Sequence, residues 1–183
     1  MQGDTQYAVG GPPRNPSAQG WQMLSGVGLR IAKGVKNMSL NLEAMERIRD
    51  QKAKYCRYLD TKQFDNWEAI FKADARIVFY NLDNSVMREF DSIAELSPMT
   101  RGLFATTRTI HQTHNSEIEF KSETHATAIW SMEDRHIYAP EGDNPSKTMH
   151  GYGFYHETWE LVGGEWKLAS LELRRNIVSY GHL

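Results

Sequence analysis

Two side chains with acid–base capacity, Asp60 and His111, stand at the ends of predicted elements. Asp60 lies in KYCRYLDTKQFD (residues 54–65), which joins two amphipathic segments and also carries Tyr55 and Tyr58. An imidazole titrates near neutral pH, and a carboxylate beside it can fix its tautomer. Phenolic hydroxyls can hold a substrate oxygen during proton transfer. These residue types predict a proton-transfer site for a small organic molecule, provided that the fold brings Asp60 and His111 together.

Each of these residues also has a simpler interpretation. An aspartate at a helix end is often a cap, and a histidine at a strand start is often a surface group. Helical geometry places Tyr58 about 300° around the helix axis from Tyr55, so Tyr58 is predicted to pack rather than to act.

Motifs for metal or cofactor binding do not stand out in the sequence. There is no dinucleotide-binding glycine motif, P-loop, nucleophile elbow or HExxH sequence. His111 and His114 are three residues apart, but no further ligands accompany them at metal-site spacing. We therefore expect neither a metal nor a cofactor, unless distant residues converge on one site.

Composition limits the function classes. The chain has 183 residues, of which 40% are hydrophobic and 24% charged, and its net charge is −2. This balance suits one globular domain with a tail and carries no nucleic-acid-binding signature. No apolar run reaches the length of a membrane span. The single cysteine, Cys56, excludes an internal disulfide and is typical of a reducing compartment, so we expect a cytoplasmic protein with a small-molecule substrate.

The first 37 residues differ from the rest. Residues 1–20 are rich in glycine and proline without an apolar period, which predicts disorder. Residues 21–36 carry basic residues and no acid, a pattern weakly similar to a transit peptide. Met38 is an alternative start. We predict a tail over residues 1–37 and one folded domain over residues 38–183.

Hydrophobic periodicity predicts two helices, two strands, a third helix and four longer strands. The first helix has an apolar face interrupted by Lys52, and the third begins at the capping pattern Ser92–Glu95 and breaks near Pro98. The long strands are expected at 110–120, 124–138, 149–161 and 165–177, with a turn at 162–164. This order predicts an α+β fold in which a curved antiparallel sheet wraps around helices as a cone with an internal cavity.

Alternation along the long strands indicates which side chains face this cavity. One face carries Trp130 and Asp134, and another carries two glycines with Tyr155 and Glu157. We predict that the glycines make room for a ligand and that Trp130, Asp134 and Tyr155 contact it. Arg175 lies on a leucine-rich face, where it needs an acidic partner or an anionic ligand.

The opposite face of one strand is unusually aromatic. Tyr152, Phe154 and His156 alternate with the cavity-facing residues. Such a surface is typical of a subunit interface or of a face covered by a helix. We expect a homodimer or homotrimer.

Several of these segments together resemble the SnoaL-like proteins of the nuclear transport factor two-like superfamily. The matching segments are Tyr55-x-x-Tyr58-x-Asp60, Phe64-Asp65-x-Trp67, Thr109-x-His111, Ala128-x-Trp130-x-Met132-Glu133-Asp134, Gly151-Tyr152-Gly153-x-Tyr155 and Trp166-Lys167-Leu168-x-Ser170-x-x-Leu173-x-Arg175. The resemblance covers about 42–177 and implies the cone fold. It also implies a catalytic histidine at His111, an orienting aspartate at Asp60 and a pocket tyrosine at Tyr55, as in scytalone dehydratase and bile-acid 7α-dehydratases.

Two positions depart from that pattern. The second pocket tyrosine falls on Phe79, with Tyr80 on the opposite strand face, and the further strand histidine of scytalone dehydratase falls on Trp130. The resemblance therefore implies a dehydratase or isomerase for a hydrophobic polycyclic or polyketide-like molecule other than scytalone. A cyclase, an epoxide hydrolase and a non-catalytic binding or assembly module on the same fold are the alternatives.

Overall fold

The computed structural model of the protein describes residues 41–183. The helices of this part are α1 (41–60), α2 (Phe64–Glu68) and α3 (Ile93–Phe104). The strands are β1 (Phe71–Tyr80), β2 (Val86–Phe90), β3 (Arg108–Phe120), β4 (His125–Ile137), β5 (Lys147–Val162) and β6 (Glu165–His182). The predictions for residues 1–37 lie outside the described residues. Within 41–183, none of the helices has the length and apolar character that a membrane span requires.

The strands form one sheet with the order β2-β1-β6-β5-β4-β3. All neighbouring pairs are antiparallel except β1 and β6, which run parallel. The α+β fold is confirmed, but the sheet is mixed, because β6 pairs with β1 as well as with its hairpin partner β5. Register shifts interrupt the ladders, for example between Tyr152 and Gly153 and between Thr158 and Trp159, and such bulges bend strands.

The hairpin between β5 and β6 and the start of α3 have the predicted local chemistry. Gly163 and Gly164 adopt φ values of 60° and 87°, which glycine tolerates without strain. The Ser92 hydroxyl caps α3 by accepting the Glu95 backbone N–H at 3.3 Å. The predicted break near Pro98 is wrong, because α3 continues through this exposed residue to Phe104.

The helix after α1 is shorter than the apolar spacing predicts. It ends at Glu68, and Phe71 already begins β1. Phe64 and Trp67 belong to α2, whereas Phe71, which follows them at helical spacing in the sequence, lies in β1.

The core lies between α1 and the inner face of the sheet. Ile48, Leu59, Trp67, Trp159 and Leu168 are among its buried members. Because α1 crosses this face, its C-terminal residue Asp60 arrives beside β3, where the sequence places His111.

Candidate active site

Asp60 and His111 are in direct contact. Asp60 is the last residue of α1, and His111 lies on β3. The Asp60 Oδ1 atom is 2.7 Å from His111 Nδ1, and Asp60 Oδ2 accepts the His111 backbone N–H at 2.9 Å. The Thr109 hydroxyl also donates to Asp60 Oδ1 at 2.9 Å. Since the carboxylate accepts hydrogen bonds only, we assign the imidazole proton to Nδ1, which leaves the Nε2 lone pair free to take a proton.

A second imidazole, that of His136 on β4, lies beside His111. The two ring centroids are 5.4 Å apart, and the Phe104 ring packs against both, at 5.8 Å from His111 and 5.1 Å from His136. Burial lowers the pKa of His136, although Asp134 partly opposes this shift. His136 is therefore neutral at neutral pH, and it can accept a proton.

The pairing of β3 with β4 explains how the two histidines meet. Thr109 is opposite His136, and His111 is opposite Asp134. The alternation that placed Trp130 and Asp134 on one face extends to His136, so the sequence did contain the signal for this residue. The prediction stopped at Asp134 and missed it.

A cavity of about 720 Å³ opens beside these residues. Both imidazoles, the rings of Tyr55 and Tyr155, and Arg175 line it. The remaining wall is mainly apolar and includes Leu59, Phe79, Met99, Leu103, Phe104 and Leu173. A pocket of this size and composition suits an apolar molecule of drug-like dimensions with a few polar groups.

Tyr55 and Tyr155 supply hydroxyls to the same cavity. Their ring centroids are 6.0 Å apart, and the buried Lys52 ammonium lies 4.1 Å from the Tyr55 ring and 3.5 Å from the Tyr155 ring. Burial raises the pKa of both phenols, so they stay protonated and can donate.

The partner that Arg175 needs is Asp134. The Arg175 guanidinium donates to the carboxylate through Nη2 and, at 3.3 Å, through Nε. Burial opposes the ionisation of both groups, but their mutual attraction outweighs it. His136 also favours the ionised form of Asp134. The pKa of Asp134 is accordingly lowered and that of Arg175 is raised. The two form a fixed ion pair, of which only Arg175 lines the cavity, so Asp134 lies behind the wall and not, as predicted, in contact with a ligand.

Family membership follows from comparison with known proteins. A family model described as a SnoaL-like domain matches residues 41–172. The chain belongs to this family. A relative from Gibberella zeae named "Probable cyclase FGR4" is 31% identical over 146 residues, which cover 75% of this chain and 95% of the relative.

Solved structures share the fold of this SnoaL-like domain. A "Putative Scytalone Dehydratase" from Novosphingobium aromaticivorans aligns with a TM-score of 0.68 at 24% identity and covers 80% of this chain and 93% of its own. The hexachlorocyclohexane dehydrochlorinase LinA-type3 from Novosphingobium barchaimii aligns with a TM-score of 0.63 at 17% identity, covering 78% and 92%. These likenesses show the nuclear transport factor two-like α+β cone.

The SnoaL-like domain uses its glycines differently from the prediction. A Cβ atom on Gly151 would lie 2.5 Å from Asp134 Oδ1 and 2.7 Å from Arg175 Cδ. A Cβ on Gly153 would overlap the backbone of Arg174 and Arg175, where the ladder to β6 shifts register. The glycines therefore make room for the Asp134–Arg175 pair and for a bulge, rather than directly for a ligand.

Trp130 and Glu157 are core residues in the SnoaL-like domain. Glu157 pairs with Lys52 at 2.5 Å and accepts the indole N–H groups of Trp130 at 2.7 Å and of Trp159 at 3.0 Å. Neither Trp130 nor Glu157 lines the cavity. The predicted substrate contact of Trp130 is thus revised, because its one polar atom is bound in the core.

Tyr80 was predicted to lie on the strand face opposite Phe79, but the structure places both side chains at the cavity. Phe79 and Tyr80 both line the cavity, because the β1–β2 ladder shifts register between them. Tyr80 stacks under the Arg174 guanidinium at 3.6 Å. A second histidine, His136, lines the cavity although position 130 carries a tryptophan. Tyr58 is half-buried against the core and does not line the cavity, as the helical spacing predicts.

Proposed function

We propose that this SnoaL-like domain is a cofactor-independent acid–base enzyme, a dehydratase or isomerase, for a small hydrophobic molecule of polycyclic or polyketide type. One observation carries the proposal. The His111 imidazole is fixed by Asp60 at its Nδ1 atom and lines a largely apolar cavity of about 720 Å³. A positioned base of this kind contributes about 10²–10⁴-fold to proton transfer.

In the proposed reaction, His111 Nε2 removes a proton from the carbon next to a substrate carbonyl. The electron pair of that C–H bond moves into an enolate, whose oxygen accepts hydrogen bonds from the Tyr55 and Tyr155 hydroxyls. In an elimination, the enolate then expels a β-hydroxyl group, which leaves as water after protonation by the imidazolium. In an isomerisation, the imidazolium returns the proton to another carbon. Asp60 stabilises the imidazolium throughout.

The structure favours an uncharged substrate. Two arginines line the cavity, and the guanidinium of Arg175, the more buried one, is already bound to Asp134, whereas Arg88 is exposed to solvent. An anionic substrate group would have to compete with that carboxylate. The apolar wall and the hydroxyls of Tyr55 and Tyr155 suit a ketone with a polycyclic skeleton.

Names of relatives support the class of chemistry. The relative from Gibberella zeae is named a cyclase, and the structural neighbours are named a scytalone dehydratase and a dehydrochlorinase. The two latter names describe eliminations, of water and of hydrogen chloride. A cyclase is the second candidate function, which the 31% identical relative favours.

His111→Ala and Asp60→Asn test the proposal. Each should lower turnover of polycyclic β-hydroxy ketones about 10²–10⁴-fold, because one removes the base and the other removes its orienting charge. Mass spectrometry of a substrate panel separates dehydration from the other reactions, since a dehydratase product has lost one water whereas isomerised products and products of simple ring closure keep the mass.

His114→Ala is the matched control, because His114 is an exposed residue on the same strand. It should leave turnover unchanged. Circular dichroism should show the same fold in all variants. Equal turnover in the wild type, His111→Ala and Asp60→Asn would exclude the assignment, and ligand binding without turnover would favour a binding module.

A further inference from the structure

We propose that His111, His136 and Asp134 form a binding site for a divalent transition-metal ion of the zinc type, and that this ion and the proton-transfer reaction exclude each other. The binding part stands on the geometry alone. The exclusion rests on the proposed function, because it assumes that His111 is the base.

Convergence of three ligand atoms is the first observation. One nitrogen of each imidazole and one carboxylate oxygen of Asp134 all lie within 4.8 Å of one another. Two imidazoles and one carboxylate are a ligand set that zinc and its neighbours accept. Ligand atoms in a tetrahedral zinc site are about 3.3 Å apart, because each metal–ligand bond is about 2.0–2.1 Å long. The three side chains would thus close by at most about 1.5 Å, which small rotations can supply.

His136 supplies an independent observation. Its side chain is 94% buried, yet neither ring nitrogen has a hydrogen-bond partner among the described residues. Its Nε2 atom is 3.4 Å from Asp134 Oδ2, but the pair lacks hydrogen-bond geometry. A buried imidazole without hydrogen-bond partners is unfavourable, and a bound cation would offset this cost.

Both other ligands are already held by outer partners. Asp60 accepts the Nδ1 proton of His111, an arrangement that fixes the tautomer and directs the Nε2 lone pair outward. Arg175 and the space beside Gly151 fix the Asp134 carboxylate. Metal-binding histidines in proteins commonly have such a carboxylate behind them.

The charges around the site determine how tightly it is expected to bind a metal ion. Asp60 and Asp134 favour a cation here, whereas Arg175 and the nearby Lys62, which donates to Thr109, oppose it. We therefore expect weaker binding than at a structural zinc site with four protein ligands. The cavity beside both histidines leaves a fourth position for water or a substrate oxygen.

Mutual exclusion follows from the lone pair on His111 Nε2. The same electrons would bind the metal ion or remove the substrate proton, and they cannot do both. Bound zinc should therefore inhibit turnover, and a chelator such as EDTA should restore it.

Zinc chloride titrated into the metal-free full-length protein, followed by calorimetry, tests the binding. We expect one equivalent to bind, with affinity lowered at least about tenfold in His136→Gln and in His111→Gln. Co²⁺ should give the visible absorption of a four-coordinate site in the wild type only. His114→Ala and the exposed His125→Ala should match the wild type.

The outcomes separate the two parts. Absence of one-equivalent binding, or equal affinity in the wild type and both glutamine variants, overturns the site. Thermal unfolding shows whether each glutamine variant is folded. One folded variant is enough for the comparison of affinities. One bound equivalent with undiminished turnover overturns the exclusion. Wild-type protein that binds zinc but turns over no substrate contradicts the proposed function and leaves the metal site supported.

Discussion

Asp60 occupies a position that helix electrostatics disfavours. It is the last residue of α1, where the helix dipole repels a negative charge by about 0.3–1 kcal/mol. Its carboxylate nevertheless accepts three hydrogen bonds, from the His111 backbone, the His111 ring and the Thr109 hydroxyl. Contacts with β3 thus outweigh the local preference. A carboxylate at a helix C-terminus that contacts an imidazole in a cavity is typical of a functional site, because local electrostatics alone would disfavour it.

The two tyrosines of the helix end offer a residue-level prediction. Tyr55→Phe removes a cavity hydroxyl and should lower kcat about 10²-fold, because one donor to the enolate oxygen is lost. Burial raises the pKa of Tyr55 above its ordinary value of 10.0, so the hydroxyl does not titrate below that pH. Tyr55→Phe should therefore lower kcat equally at every pH from 6 to 9, measured as a pH–rate profile.

Tyr58→Phe is the matched control for this prediction. The Tyr58 ring packs beneath the Arg57 guanidinium at 4.5 Å and lies away from the cavity wall. Its kcat should equal that of the wild type. A similar loss in both variants would show that hydroxyl deletion acts through stability rather than through the cavity.

At the level of elements, a buried ion pair joins α1 to β5. Lys52 and Glu157 have no exposed side-chain surface, and two indole N–H groups complete the coordination of the carboxylate. The Lys52 ammonium lies over the rings of Tyr55 and Tyr155. This pair therefore fixes the helix on the sheet directly beneath the two cavity tyrosines.

Lys52→Met and Glu157→Gln should each destabilise the protein by about 3–5 kcal/mol, because each leaves a buried charge without its partner. The double variant should lose much less than the sum of the two, since neither charge remains and the glutamine oxygen can still accept an indole N–H. Urea unfolding of the four proteins in this cycle measures the coupling. Additive losses would mean that the two charges do not stabilise each other.

Sequence patterns predicted the elements that depend on local chemistry. The capping serine Ser92, the turn at Gly163–Gly164 and the alternation in β4 and β5 all appear as expected. Lys52 looked like an interruption of an apolar face, because its partner Glu157 lies 105 residues away. Trp130 was misassigned for the same reason. Pairing partners between distant elements decide both positions, and no local pattern contains them.

The candidate site was partly predictable for a related reason. Asp60 and His111 were found because their types suggested a function that requires contact. His136 and the fit of Gly151 against Asp134 and Arg175 depend on the strand register, which the sequence alone did not supply.

On the scale of the whole molecule, the fold narrows the chemistry but does not choose the reaction. The same cone underlies neighbours named as a dehydratase and a dehydrochlorinase. What differs between such proteins is the set of side chains that line the cavity. Here the set includes two imidazoles, several tyrosine side chains and the paired Arg175, which is why the substrate panel and not the fold will identify the reaction.

Assembly is the remaining property at this scale. Tyr152 and Phe154 on the outer face of β5 are 39% and 38% exposed, and Ile177 beside Tyr152 on β6 is 59% exposed. Three neighbouring apolar side chains on a strand face favour contact with a second copy of the chain. We expect a homodimer or homotrimer.

Tyr152→Ser combined with Phe154→Ser should shift this oligomer to a monomer in analytical ultracentrifugation. Val162→Ser, a single exposed apolar residue near the β5–β6 turn, should not. A wild-type protein that sediments as a monomer at micromolar concentration would contradict the prediction.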